Sequence, residues 1–398
     1  MDIIITPSKL KGTVYANPSK SQAHRVLICS AFSDQPTKII CPKTSQDIEA
    51  TVGCLRQLGA NIKQLSDGYY VIPIKSVKDS VHLFCGECGA TLRFLLPVVG
   101  ALGISATFHL DGNLSNRPLS PLWELLEEHG CKLTRPEQNI VCITGKLVYG
   151  DYTLAGNVSS QFITGLLFAF SLMHGTSRLI LTGIVESKPY IQMTQQVLNC
   201  FGVDSCNLTV CGSGRFTTPG EWRVEGDWSN AAFFLAATDL GNGVTVQNLD
   251  PQSVQGDKQI LDCLRLLNEQ VTISASDIPD LIPILSIVAA CRHGAIFTDI
   301  SRLRLKESDR VESILAMLRS LGCHCDADDS KIIIYPGNFK GCTIDSFGDH
   351  RIAMAAAIGA TVADGAVTIL NAHCVQKSYP DFWETYRALG GNYEQLSR

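Results

Sequence analysis

The chain has 398 residues, with 33 Lys+Arg against 38 Asp+Glu, a formal net charge of −5, 45% hydrophobic residues and 33 glycines. That length supports two domains or one large one, and the composition excludes a disordered chain, a collagen-like repeat and a coiled coil. Mild acidity excludes a general nucleic-acid binder, which carries a basic excess; taken alone, it also argues against anionic ligands.

Taken from the N-terminus, residues 1–12 show no basic start, apolar core and cleavage site, so no secretory signal is expected. KSQAHRVLICSAF (20–32) predicts a helix that opens with polar residues and is apolar nearly all round, hence buried. An amphipathic helix then ends in CLRQLGANI (54–62), and YVIPI (70–74) reads as a strand. The same alternation continues. Buried helices are predicted at GATLRFLLPVVGAL (89–102), SSQFITGLLFAFSLM (159–173), DWSNAAFFLAA (227–237), IPDLIPILSIVAAC (278–291) and DHRIAMAAAIGATVA (349–363). Between them, amphipathic helices end in LLEEHGCKL (125–133), VLNCFGVDS (197–205), CLRLLNEQV (263–271), MLRSLGCHC (317–325) and YRALGGNY (386–393). In each ending a Gly, or Asn268 in the fourth, stands where a left-handed cap would stop the helix. KIIIY (331–335) and AVTIL (366–370) supply further strands. The pattern predicts an α/β (α+β) chain of six repeated β/α units, three before about residue 224 and three after.

The longest stretch without a charged side chain, 152–177, holds too few apolar residues to span a bilayer. Of the 16 cysteines, Cys85-x2-Cys88 and Cys323-x-Cys325 invite a metal reading. Neither has a second ligand pair at zinc-site spacing, so structural thiols are expected throughout.

The predicted helix starts hold nearly all the unusual polar residues. Ser and Asp there are ordinary caps. Cations are not, because a Lys or Arg in a first turn opposes the helix dipole. Lys20, Arg25, Arg93, Arg117, Lys306, Arg310, Arg351 and Lys377 all break that rule, and repeated local violations point to function. These helix ends are therefore expected to face anionic ligands, with dipoles and cations acting together. Arg117, Arg310 and Arg351 suit bidentate carboxylate or phosphate recognition. Asp280 and Glu307 lie among the cations as candidate acid–base groups; each reads equally as a cap or an ion-pair partner. His350 is placed for proton transfer, whereas His24 reads as a helix-surface residue. Phosphate-loop, dinucleotide, zinc-protease and nucleophile-elbow motifs are absent.

At these residues the sequence resembles the 3-phosphoshikimate 1-carboxyvinyltransferase family. The motifs, in order, are Ser19-Lys20-Ser21-x-x-x-Arg25, Asn116-Arg117-Pro118-Leu119, Ser159-Ser160-Gln161, Ser187-Lys188-Pro189-Tyr190, Ile278-Pro279-Asp280, 304–310 (RLKESDR), Asp349-His350-Arg351-x-Ala353-Met354 and 377–382 (KSYPDF). The resemblance implies two similar lobes, 19–224 and 1–18 plus 225–398, each of three β/α units with buried parallel helices, hinged by two crossover strands. It implies transfer of the enolpyruvyl group of phosphoenolpyruvate to the 5-hydroxyl of shikimate 3-phosphate, with no cofactor and no metal, in aromatic amino acid biosynthesis. The enzyme would be a cytoplasmic monomer whose partners are those two small anions, not nucleic acid or membrane.

By the same resemblance, shikimate 3-phosphate is held by Lys20, Ser21, Arg25, Ser159, Ser160, Gln161, Ser187, Tyr190, Asp280 and Lys306. Phosphoenolpyruvate falls to Lys20, Gly89, Arg117, Gln161, Arg310, Arg351 and Lys377. The catalytic set is Asp280, Glu307, Lys20, Lys377 and His350, with Asp280 as base and Glu307 or Lys377 protonating the methylene carbon. Three features depart from the family: Pro18 replaces a common Gly, Arg302 replaces an Asn found in some relatives, and the usual Asn-(Ala/Ser)-Gly-Thr loop reads Glu87-Cys88-Gly89-Ala90. Glu87 beside an anion site is expected to turn away or to pair with a cation. Two rivals are an enolpyruvyl transferase acting on UDP-N-acetylglucosamine and a non-catalytic anion-binding scaffold. The Ser187-Lys188-Pro189-Tyr190 motif disfavours the first, and the acid–base groups disfavour the second.

Overall fold

The computed structural model describes residues 1–396, which form two compact units: Pro18–Val224, and Met1–Asn17 joined to the segment from Glu225 onward. Each encloses its own hydrophobic core. The 18–224 unit carries α1 (Lys20–Ala31), α2 (Gln46–Gln57), α3 (Gly89–Leu102), α4 (Leu122–Glu128), α5 (Ser160–Leu172) and α6 (Lys188–Cys200). The discontinuous unit carries α7 (Trp228–Asp239), α8 (Ile260–Leu266), α9 (Ile282–Cys291), α10 (Arg310–Ser320), α11 (His350–Ala360) and α12 (Phe382–Ala388).

Odd-numbered helices are the buried series. Every residue of α11 is buried, and in α5 only Gln161 is not. Such helices have no polar face and are stable only inside a shell of other elements. Close approach between them uses small residues. A Cβ at Gly165 of α5 would lie 2.2 Å from the Arg93 carbonyl oxygen of α3, so any larger residue would push the two helices apart.

Each buried helix belongs to a pair of parallel strands. Ser80–Gly86 and Ser105–Leu110 bracket α3, and Asp151–Ala155 and His174–Thr182 bracket α5. Val271–Ser274 and Ala295–Thr298 bracket α9, and Cys342–Asp345 and Val367–Leu370 bracket α11. The first copy of each unit is assembled differently. Thr37–Ile40, which follows α1, takes its parallel partner from Glu221–Arg223. Gly243–Gln247, which follows α7, takes its own from Lys11–Tyr15. The N-terminal strand Asp2–Thr6 lies antiparallel between Val367–Leu370 and Asn392–Leu396.

Five of the six amphipathic helices end at a left-handed glycine: Gly59, Gly130, Gly202, Gly322 and Gly390 have φ of +112°, +105°, +76°, +88° and +91°. The fourth copy departs from expectation. Asn268, which follows α8, does not take a positive φ, and its side chain accepts a hydrogen bond from Arg292. All sixteen cysteines are free, and nine are buried.

Candidate active site

In the discontinuous unit, the starts of α9, α10 and α11 converge on one ionic network centred on Arg310. Its side chain is 1% exposed, yet it meets three carboxylates: Nη1 donates to Asp280 Oδ1 (2.6 Å), Nη2 to Glu307 Oε2 (2.7 Å) and Nε to Asp349 Oδ2 (2.8 Å). A buried guanidinium at the first position of a helix opposes the dipole and loses its hydration, so it persists only with such compensation. Two of the helices are separately capped. The Asp309 carboxylate accepts from Val311 and Glu312 N–H at 3.1 and 3.2 Å. Asp349, fully buried, accepts from Arg351 N–H at 2.9 Å and from Ser308 Oγ at 3.2 Å while holding Arg310.

Asp280 lies just before α9 rather than inside its first turn. Arg310, Arg351 Nη2 (3.2 Å) and Lys306 Nζ (3.4 Å) all reach it. Burial alone would raise its carboxyl, but Arg351, Lys306 and Arg310 together hold it well below the usual carboxylate range. Burial pulls Lys306 down to about 8 despite the opposing pull of Asp280. His350 is buried, with Nδ1 3.9 Å from Asp349 Oδ1. Lys377, also buried, ends the short 3₁₀ turn Ala372–Lys377.

Asp257 was not among the residues expected here. It sits in a 3₁₀ turn, accepts the Ser229 hydroxyl at the start of α7, and is pushed up to about 7 by burial and by the charge of Asp280. Nothing local in the sequence marks it, because only the packing of that turn against α7 buries the carboxyl.

In the 18–224 unit, Lys20 at the start of α1 forms an ion pair of 2.6 Å with Asp47 of α2. Ser159 caps α5 by accepting from Gln161 N–H, and Ser160 is that helix's first residue. The structure brings Gly89, Arg117 and Gln161 together: a Cβ on Gly89 would meet Arg117 Nη1 at 2.8 Å and Gln161 Oε1 at 3.6 Å. A larger residue at 89 would displace that guanidinium from the start of α3. Arg93 donates to Gln161 Oε1 (2.8 Å) and to the Pro118 carbonyl (3.1 Å), orienting the pair. Ser187, buried, holds a left-handed φ of +54° immediately before α6. A non-glycine residue in that conformation is held there by its surroundings.

Several side chains stand elsewhere than their sequence position suggested. Arg25 is 2% exposed and ties α1 to α5 and α6. It donates to the Ser21 carbonyl (2.6 Å), Thr194 Oγ1 (2.9 Å), the Tyr190 carbonyl (3.1 Å) and Thr164 Oγ1 (3.3 Å). It therefore positions Ser21 and Tyr190. His24 is not a surface residue but 1% exposed, with Nδ1 2.7 Å from Thr51 Oγ1. Burial lowers it to about 3, leaving the imidazole neutral. The Glu87 carboxylate lies against Gly112, where a Cβ would sit 1.9 Å from Oε1.

Repeated β/α units carrying buried cations at or near helix starts are the features that the chain shares with known proteins. The family model for EPSP synthase (3-phosphoshikimate 1-carboxyvinyltransferase) matches residues 4–386. The chain is 39% identical over 417 residues to the 3-phosphoshikimate 1-carboxyvinyltransferase of Clostridium perfringens (strain 13 / Type A), covering 98% of each. It is 36% identical over 424 residues to that of Clostridium botulinum (strain Alaska E43 / Type E3), again covering 98% of each. Its backbone is similar to that of an EPSP synthase from Acinetobacter baumannii, with a TM-score of 0.80 at 23% identity over 99% of each chain. The chain belongs to the EPSP synthase family.

Proposed function

We propose that the protein transfers the carboxyvinyl group of phosphoenolpyruvate to the 5-hydroxyl of shikimate 3-phosphate, releasing phosphate, as a step of the shikimate pathway. The observation that carries this reading beyond family membership is Asp280, a carboxylate held ionised by three cations in a set otherwise suited to anions. Asp280 accepts the proton of the attacking hydroxyl. Glu307 or Lys377 delivers a proton to the methylene carbon, giving a tetrahedral ketal. Loss of phosphate, with removal of a proton from the new methyl group, completes the exchange. The substrates bring two phosphates and two carboxylates, whose mutual repulsion is offset by Lys20, Arg117, Lys306, Arg310, Arg351 and Lys377. Positioning and electrostatics supply more of the acceleration than proton transfer, which contributes about 10²–10⁴-fold.

The same reading makes the enzyme a cytoplasmic monomer acting on free metabolites. Among the described residues, no helix is long and apolar enough to cross a membrane. Phosphate release from phosphoenolpyruvate, measured with each acceptor, tests the assignment. Turnover is expected with shikimate 3-phosphate; turnover with UDP-N-acetylglucosamine alone would sink it, and no release with either would favour a scaffold.

Lys306 gives the reaction a signature in pH. Its ammonium titrates at about 8, so the charge is present below that pH and lost above it. A bound anion raises the same pKa, so affinity falls as pH rises. The KM for shikimate 3-phosphate is expected to climb above pH 8 by up to about tenfold per unit. Lys306→Arg, charged throughout, is expected to flatten that rise; an equal rise in the variant would remove Lys306 from the binding set.

A further inference from the structure

Three side chains that the reaction does not require meet beside the Lys20 anchor. His24 of α1, Asp47 of α2 and Cys88, the cap of α3, are all buried, and each offers one ligand atom within 4.8 Å of the others. Cys88 Sγ is 3.8 Å from His24 Nε2. A tetrahedral zinc ion, with Zn–S of about 2.3 Å and Zn–N of about 2.0–2.1 Å, holds sulfur and nitrogen roughly 3.6 Å apart. The observed pair is already close to that spacing.

The outer groups are also in place. His24 Nδ1 is 2.7 Å from Thr51 Oγ1, which is itself 2.6 Å from Thr91 Oγ1. A metal-ligating histidine characteristically gives its second ring N–H to such a partner, which turns the bare nitrogen toward the metal. Cys88 Sγ accepts from Thr91 N–H at the start of α3 (3.4 Å), a contact that fixes where the sulfur stands beside His24. One thiolate and one carboxylate balance a divalent charge.

We propose that His24, Asp47 and Cys88 form a binding site for a zinc-class divalent cation, a regulatory rather than catalytic site, with a fourth position left for water. The mixed nitrogen, sulfur and oxygen donors suit zinc over magnesium or calcium. Ligation expels the Cys88 thiol proton to solvent. It also turns the Asp47 carboxylate from Lys20 to the metal, and the metal lies beside the Gly89 turn, so occupancy inhibits the enzyme reversibly. That coupling rests on the transferase reading above; metal binding itself does not.

The test is titration of the full-length protein with Co(II) alone, followed by displacement with Zn(II). One equivalent with the intense visible bands of tetrahedral cobalt and a thiolate charge-transfer band is expected. Cys88→Ser is expected to abolish the charge-transfer band, and Thr51→Val to weaken binding by about 10–100-fold. Cys200→Ser, at an exposed thiol, serves as the control for surface binding and is expected to change nothing. X-ray absorption of the Zn(II) form of the unaltered protein gives a readout independent of variant folding: one sulfur at about 2.3 Å is expected. A shell of oxygen and nitrogen only, or a cobalt spectrum unchanged in Cys88→Ser, would overturn the site. Zn(II) inhibition reversed by EDTA is expected with the same affinity; full activity at saturating Zn(II) would overturn the coupling while leaving the assigned reaction intact.

Discussion

Replacing Asp280 with asparagine is expected to lower kcat by about 10²–10⁴-fold, the range of a lost general base, while leaving the affinity for both anions equal or tighter. The carboxylate is in contact with Arg310, Arg351 and Lys306. Removing its charge leaves three cations less neutralised, so anion binding does not suffer. The same contacts make the free carboxylate a weak base, since its pKa is held well below the ordinary range. On the reaction proposed above, anionic substrates compete for those cations and so raise the basicity of Asp280 in the complex. The acidic limb of the kcat profile is therefore expected at higher pH than that of kcat/KM, because the two report the complex and the free enzyme respectively. Unchanged turnover in Asp280→Asn would remove its proposed role, and coincident limbs would remove the competition.

Arg310→Met is expected to destabilise the protein by about 3–5 kcal/mol, the cost of leaving buried charges unpaired. The variant takes the guanidinium away from Asp280, Glu307 and Asp349, of which Asp349 has a side-chain exposure of 0% and keeps only Ser308 Oγ and the Arg351 N–H as hydrogen-bond donors among the contacts described above. At roughly 2–4 °C per kcal/mol for a unit of this size, the melting transition drops by about 10 °C. Low pH restores part of the loss by protonating the stranded carboxylates, because their ionised forms are what the variant cannot accommodate. Arg310→Lys separates charge from geometry: it keeps most of the stability but cannot reach three carboxylates at once, so turnover falls without a matching drop in melting temperature. A melting temperature for Arg310→Met equal to that of the unaltered protein would show the network to be energetically neutral.

The repeat was readable because its marks are local. A helix apolar on every side must be buried, and a glycine after an amphipathic helix marks a left-handed stop, so five of six caps were placed from sequence. Asn268 failed because its amide had a better partner in Arg292, a tertiary contact with no local sign. Cations at helix starts located both polar clusters, but their spacing could not separate ligand-facing groups from struts. Arg25 braces three helices, and His24 is buried against Thr51. Asp257 escaped notice since its burial comes from a turn packing against a distant helix. Nor does any residue pattern announce that Lys11–Tyr15 pairs with Gly243–Gln247; the family resemblance implies that residues 1–18 join the later half, without naming that pairing.

The exchanged first strands dictate an order of assembly on the ribosome. The 18–224 unit has all its strands once residue 224 has emerged. Residues 2–6, by contrast, sit between Val367–Leu370 and Asn392–Leu396, so a segment synthesised before the 18–224 unit finds its neighbours only after that unit is complete. At about 5–20 residues per second, the nascent chain carries an unpaired, isoleucine-rich strand for roughly ten to thirty seconds after its first unit is complete. Whatever shields that segment during the interval acts on Ile3 and Ile5, which the finished enzyme buries completely.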